Sequence, residues 1–246
     1  MDPAYFQGVT KLVIDKLEGG YFHPDMRSAR PDIFGSYHRS GETMYGLDRH
    51  AGHDLYYKTK RKTSDVIKNL QYIYGGAYEY KNDDARKFWQ LIDRVNARKN
   101  WKWNYKGGQY ADELQKLAAN ILRPQYEKLA ARYLTEESQK LINKDPRILF
   151  HFIYAVWNGS GWFQRFATKF NEAVKQGKRG NDLLNAALNS RINSTNSLIS
   201  NGGKKIKGFI NSIELPKTTT STGTGGMLKL ILIPLLLYGA YTYLKK

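Results

Sequence analysis

Apolar residues recur at three- and four-residue spacing through most of this chain, the period of an amphipathic helix. Residues 4–18 read as a first helix. Its apolar end is Leu12, Val13, Ile14 and Leu17, and Gly19 and Gly20 are its stop signal. Residues 20–50 lose that period. They are rich in Gly, Pro, Asp and His, with short aromatic runs such as IFGSYH, and read as loops with a small hairpin or sheet. The helical period returns from about Asp65, in VIKNLQYIY, DARKFWQLIDRVNA, YADELQKLAANILRPQYEKLAARYL and DPRILFHFIYAVWNGSG. Pro124 is expected to break or kink the third of these, whereas Pro146 suits a first turn, with Asp145 as its N-cap. Two later helices are expected near 162–176 and 181–200. The fold class is therefore α+β and mainly helical, with a small segregated β region near the N-terminus.

The end of the chain has a different pattern. LPKTTTSTGTGG, Leu215 to Gly226, has no apolar periodicity and reads as a flexible linker. Beyond it, residues 227–246 are apolar from Leu228 to Leu244, interrupted by one lysine, Lys229. A bilayer core takes a helix of roughly 20 residues, so this segment reads as a short transmembrane anchor. Pro234 is compatible with a span. Tyr238, Tyr241 and Tyr243 suit an interface, and both flanks are basic, which leaves the orientation open. A buried core helix is the alternative. The start of the chain lacks the basic and apolar regions of a signal peptide.

Charge narrows the partners. The net charge is +17 over 246 residues, which implies an anionic partner: nucleic acid, anionic lipid or an acidic wall polymer. Nucleic acid is disfavoured because Lys and Arg are scattered, apart from KTKRK at Lys58 to Lys62 and KKIK at Lys204 to Lys207. The 18 Tyr and 5 Trp suit sugar faces as well as bases. There is no cysteine, so thiolate metal sites and disulfides are excluded. His50 and His53 lack an acidic third ligand in register, and neither metal nor cofactor is expected.

Three stretches could carry chemistry. Glu18 is an acid in the last turn of a helix, where the dipole disfavours a carboxylate. That position and partial burial would both raise its pKa, as a general acid for glycoside cleavage requires. The plain alternative is an exposed Glu in a fraying turn. SGETMYGLDRHAG, Ser40 to Gly52, could be a hairpin corner or could bring Thr43 and nearby acids to face Glu18. In FIYAVWNGSGWFQRFATKF, residues 152–170, one helix ends at Asn158-Gly159 and another starts at once. That is a glycine-capped corner, or an amide aimed into a groove lined by Trp157 and Trp162.

In this order EGGY, SGETMYGLD and AVWNGSG resemble the phage and bacterial N-acetylmuramidases of glycosyl hydrolase family 108. The resemblance is thin and spans most of residues 4–214. It implies a lysozyme-like domain over 1–214, in which about 175–214 resemble the family's C-terminal wall-binding part. It carries the catalytic acid to Glu18 and the motif threonine to Thr43, and Asn158 matches the asparagine of the helix corner. In the family a short loop between acid and threonine holds an aspartate about midway. Here the loop is longer, so Asp25 and Asp32 are both candidates, with Glu42 and Asp48 nearby. Tyr21, Glu42, Tyr45, Trp157 and Trp162 are expected to contact substrate beside Asn158.

The mechanism stays open. Two carboxylates about 5–5.5 Å apart would give retention, and about 6.5–9.5 Å inversion. A lone Glu18 would fit a lytic transglycosylase. The implied function is cleavage of peptidoglycan between MurNAc and GlcNAc by a membrane-anchored enzyme, associated with the virion of a membrane-containing phage. A structural virion membrane protein on a non-catalytic scaffold, or a basic membrane protein holding DNA, are the rivals. The enzyme reading expects Glu18, Thr43 and Asn158 in one cleft, with an acid from 25–48 opposite.

Overall fold

The computed structural model describes residues 1–21, 43–48, 83–95 and 105–213. Of these, 78% are helical, in eight helices. In chain order they are α1 (Pro3–Lys16), α2 (Asp83–Arg94), α3 (Ala111–Tyr133), α4 (Glu136–Ile142), α5 (Pro146–Trp157), α6 (Ser160–Lys175), α7 (Gly180–Ile192) and α8 (Ser197–Phe209). The described strand is slight: β1 (Thr43–Met44) pairs antiparallel with β2 (Leu47–Asp48). The protein is thus mainly helical, as its periodicity implies. The linker and the apolar segment Leu228–Leu244 lie outside the described residues, as do VIKNLQYIY and the loop carrying Asp25 and Asp32. Among the described residues no helix is long and apolar enough to cross a membrane.

The hub is α5. Its sequence is apolar on nearly all sides, and Pro146 through Ile153, Ala155 and Val156 are buried. Helices α1, α3, α4, α6 and α7 all pack on it. A helix with no polar face must be enclosed in this way. Asp145 caps it, accepting from the Arg147 amide at 2.9 Å, with Pro146 in the first turn. The same carboxylate pairs with the Arg147 guanidinium at 2.8 Å, and Arg147 Nη1 reaches Asn181 on α7 at 3.0 Å. An arginine sunk this deeply needs both partners to offset its lost hydration.

Two boundaries differ from the sequence reading. Helix α3 runs through Pro124 without a break. The proline removes one N–H and so frees the carbonyl of Asn120. Asn120 lies on the exposed face, so that carbonyl is not left in the core. Buried Leu117, Ile121 and Leu122 on the other face hold the two halves in register. The helix expected over 181–200 is in fact two, because Asn196 caps a new start, accepting from the amides of Leu198 and Ile199. Asparagine competes for the backbone in this manner, which a count of apolar spacing passes over.

A candidate acid site at the meeting of two helix ends

Helix α1 ends at Lys16, and the Glu18 amide still donates to the Ile14 carbonyl at 3.3 Å. Glu18 therefore sits against the negative end of the helix, as its sequence position implies. The residue as a whole is half-buried, but its carboxylate is the inner part. Oε2 lies over the α-carbon of Gly46, in the space a β-carbon there would fill. That same space is 3.0 Å from Cδ1 and Nε1 of Trp157. Burial pushes the Glu18 pKa up to about 8, and the Lys205 ammonium on α8 pulls partly the other way. An acid in this setting holds its proton at neutral pH.

The hairpin tip is built for close approach. Tyr45 and Gly46 have φ of +54° and +69°, the positive values that a two-residue type I′ turn requires at both positions. Glycine adopts this freely, but tyrosine does not. Three contacts hold Tyr45 in it. Its hydroxyl donates to the Lys106 carbonyl at 2.7 Å, its own carbonyl accepts from Trp157 Nε1 at 3.0 Å, and its ring meets Phe88 edge-on. Residues 105–107 serve as a common brace, because the Tyr21 amide donates to the Tyr105 carbonyl at 2.7 Å.

The second helix end is that of α5. The amides of Asn158 and Gly159 close it on the carbonyls of Ala155 and Val156, and Gly159 has φ +94° and ψ 163°. Only glycine occupies that region readily. The Asn158 side chain turns inward, where its Oδ1 accepts from Nη1 of Arg191. Arg191, from α7, is fully buried, with its guanidinium 4.7 Å from the Tyr154 ring centre and 4.4 Å from that of Phe166. Its Nη2 donates to the His151 carbonyl at 3.5 Å. Burial lowers the Arg191 pKa to about 10, still far above neutrality, so it remains a cation. Burial, reinforced by Arg191, drives the His151 pKa well below its usual value and keeps that ring neutral.

Of the residues expected at the site, the structure brings together Glu18, the hairpin tip and Trp157. Thr43 is buried on β1, two positions from Tyr45, and pairs across the hairpin with Asp48. Tyr21 and Tyr45 have their rings in the core, 1% and 0% exposed, so they support the site and offer no face to a ligand. The amide of Asn158 is engaged by Arg191 rather than aimed at open space. Trp162 is half-buried, stacked on Phe166 at 5.9 Å, with the Arg165 guanidinium 4.8 Å from its ring centre. Asp25, Asp32, Glu42, His50 and His53 lie outside the described residues.

The sequence reading missed Tyr154, Arg191 and Lys205. A signal existed for Arg191, which continues the apolar stripe Leu184, Ala187, Leu188 and so marks a buried cation. Compared with known proteins, the chain matches no family model, no curated protein and no solved structure.

Proposed function

We propose that this chain is a peptidoglycan-degrading enzyme with a lysozyme-like domain over residues 1–214, cleaving the bond between MurNAc and GlcNAc. The observation that carries the reading is the Glu18 carboxyl, held between a helix end, a glycine and an indole, with its pKa raised to about 8 by burial. In this reading the neutral acid gives its proton to the glycosidic oxygen as the bond to the MurNAc anomeric carbon breaks. The carboxylate then takes a proton from the attacking group. If that group is water the outcome is hydrolysis. If it is the sugar's own 6-hydroxyl, the product is a 1,6-anhydro sugar, as in a lytic transglycosylase.

Among the described residues the Glu18 carboxylate lies over Gly46 beside the Trp157 indole and feels the charge of Lys205, and the loop carrying the candidate acids Asp25 and Asp32 lies outside them, so both courses stand. The charge of +17 suits an anionic wall, and Leu228–Leu244 would anchor the enzyme in a membrane, with the linker giving reach. We place it with the virion of a membrane-containing phage, acting in wall penetration or lysis.

The test is digestion of purified peptidoglycan by the full chain in detergent micelles, beside a Glu18→Gln variant, with products weighed by mass spectrometry. Reducing N-acetylmuramic ends from the unaltered chain alone establish a muramidase. Anhydro ends establish a transglycosylase. No products from either chain on several wall types would leave a structural membrane protein on an inactive scaffold.

A further inference from the structure

The two faces of α8 differ in chemistry. Ile199, Gly203 and Ile206 are buried, with Ile210 just beyond them. That stripe packs on α7, where a β-carbon at Gly203 would lie 2.9 Å from Ile192 and 3.0 Å from Arg191. Phe209 adds an edge-on ring contact to Phe150 of the hub at 5.4 Å. The helix is held along its length, so the direction of its outer face is fixed. On that face Leu198, Asn201, Lys205 and Gly208 follow at three- and four-residue spacing, and all four are exposed. Lys204 and Lys207 are exposed on the shoulder beside them, with stems long enough to bring their ammonium groups to the same plane.

Leu198 is 80% exposed, the one large apolar side chain so exposed among the described residues. None of the three lysines meets a carboxylate among those residues, whereas Lys11, Arg123, Lys169 and Arg179 on other elements each pair with an acid. The sequence supplies the reason: over 183–246 its only acid is Glu214. Unpaired lysines around a leucine suit a surface that is anionic and has apolar material just beneath its charges. A bilayer with anionic headgroups has both. A wall polymer offers the charge alone and leaves Leu198 in water. Position in the chain agrees. Between the last described residue, Ile213, and the apolar segment 228–244 stands the Thr/Ser/Gly stretch 215–226. A stretch of that composition and length reaches about 20 Å. With residues 228–244 in a bilayer, α8 is kept near the headgroups at a high effective concentration.

We infer that the outer face of α8 is a membrane-docking surface. Lys204, Lys205 and Lys207 lie among the phosphates of anionic lipids, and Leu198 enters the boundary between headgroups and acyl chains. The nearness of the bilayer rests on reading residues 228–244 as an anchor, whereas the exposed leucine and lysines stand apart from that reading. Docking in this way holds the body of the protein against the membrane instead of leaving it to swing on its linker.

The test uses the full chain reconstituted in vesicles and exploits its lack of cysteine. Asn201→Cys puts one thiol in the middle of the outer face, to carry an environment-sensitive fluorophore. In vesicles of phosphatidylcholine mixed with phosphatidylglycerol the probe is expected to shift to the blue, relative to pure phosphatidylcholine, and high salt should reverse the shift. Lys204→Gln, Lys205→Gln and Lys207→Gln should each lower the ratio of docked to free α8 about fivefold, and together about 100-fold. Leu198→Ser should lower it about tenfold. All these positions are exposed, and circular dichroism checks that each variant is folded. The same probe signal in both kinds of vesicle would overturn the inference. So would a probe that responds to soluble polyglycerol phosphate and not to phosphatidylglycerol, which would make the face a site for wall polymer. Resistance to carbonate extraction reads the anchor separately. A chain that resists extraction but shows no shift keeps the anchor and loses the docking face. A chain that is extracted, yet shows the salt-sensitive shift before extraction, loses the anchor and keeps the docking face.

Discussion

Two helix ends meet at the candidate site, and they are finished in opposite ways. Helix α5 ends on a residue in a glycine-only conformation, with its last amides turned back and its asparagine tied to a buried cation. Helix α1 ends on an acid, at the pole where an acid is least welcome. At the first end the last amides, the asparagine oxygen and the Trp157 indole N–H are all hydrogen-bonded. The second carries a carboxylate that burial strips of its charge. A fold can keep one unfavourable residue only where its neighbours over-determine the position, and here the completed end of α5 helps supply that constraint through Trp157.

The sharpest way to break this contrast is Glu18→Gln, which keeps the shape and removes the proton. If Glu18 is the acid, cleavage of peptidoglycan should fall by about 10²–10⁴-fold, read from released reducing or anhydro ends. Activity of the unaltered chain should also decline as pH rises through about 8, where Glu18 gives up its proton.

Next in size is Gly46→Ala. The new β-carbon would collide with Glu18 Oε2 and press on the Trp157 indole at 3.0 Å, on a backbone with φ +69°. Overpacking and left-handed strain together should cost about 2–5 kcal/mol in thermal or denaturant unfolding. A smaller loss would mean that the carboxylate swings away without penalty, and that the site is looser than described.

The stability of Glu18→Gln against pH sharpens the comparison further. Below about pH 4 the carboxyl is protonated in both folded and unfolded chains. As pH rises the unfolded chain ionises first and the folded one keeps its proton, so the unaltered protein loses stability until about pH 8. The glutamine variant lacks this loss. Discounted for the residue's partial exposure, it should be more stable by on the order of 3 kcal/mol at pH 8, with no difference at pH 4. Equal melting curves at pH 8 would show a charged Glu18 in the folded protein.

Smallest is Gly159→Ala. Nothing lies within 4 Å of the β-carbon position, so only the backbone resists, by about 1–3 kcal/mol. Two glycines at one site should thus differ in kind. Gly46 is required by what touches it, and Gly159 by its own torsion angles.

These residues also mark how far the sequence could be read. Apolar spacing found α1, α3, α5 and α6 because burial imposes that spacing directly. It joined α7 to α8 because a capping asparagine acts through a local hydrogen bond and leaves the apolar period intact. Glu18 was legible because its oddity is local: an acid next to two glycines at a helix end. Tyr154 and Lys205 were not, because their meaning depends on which helices pass each other. Tyr21 and Tyr45 are expected from the sequence to contact substrate, yet the Tyr21 amide and the Tyr45 hydroxyl are tied to the carbonyls of Tyr105 and Lys106, and their rings lie in the core.

Gly159 belongs to both helices it separates. Its amide closes α5 on the Val156 carbonyl, and its own carbonyl accepts from the amides of Trp162 and Phe163 to open α6. There is no loop between the two to absorb a displacement. In hydrogen exchange the last turn of α5 and the first turn of α6 should therefore open together, as one cooperative unit, with Trp157 and Trp162 on either side of a single hinge.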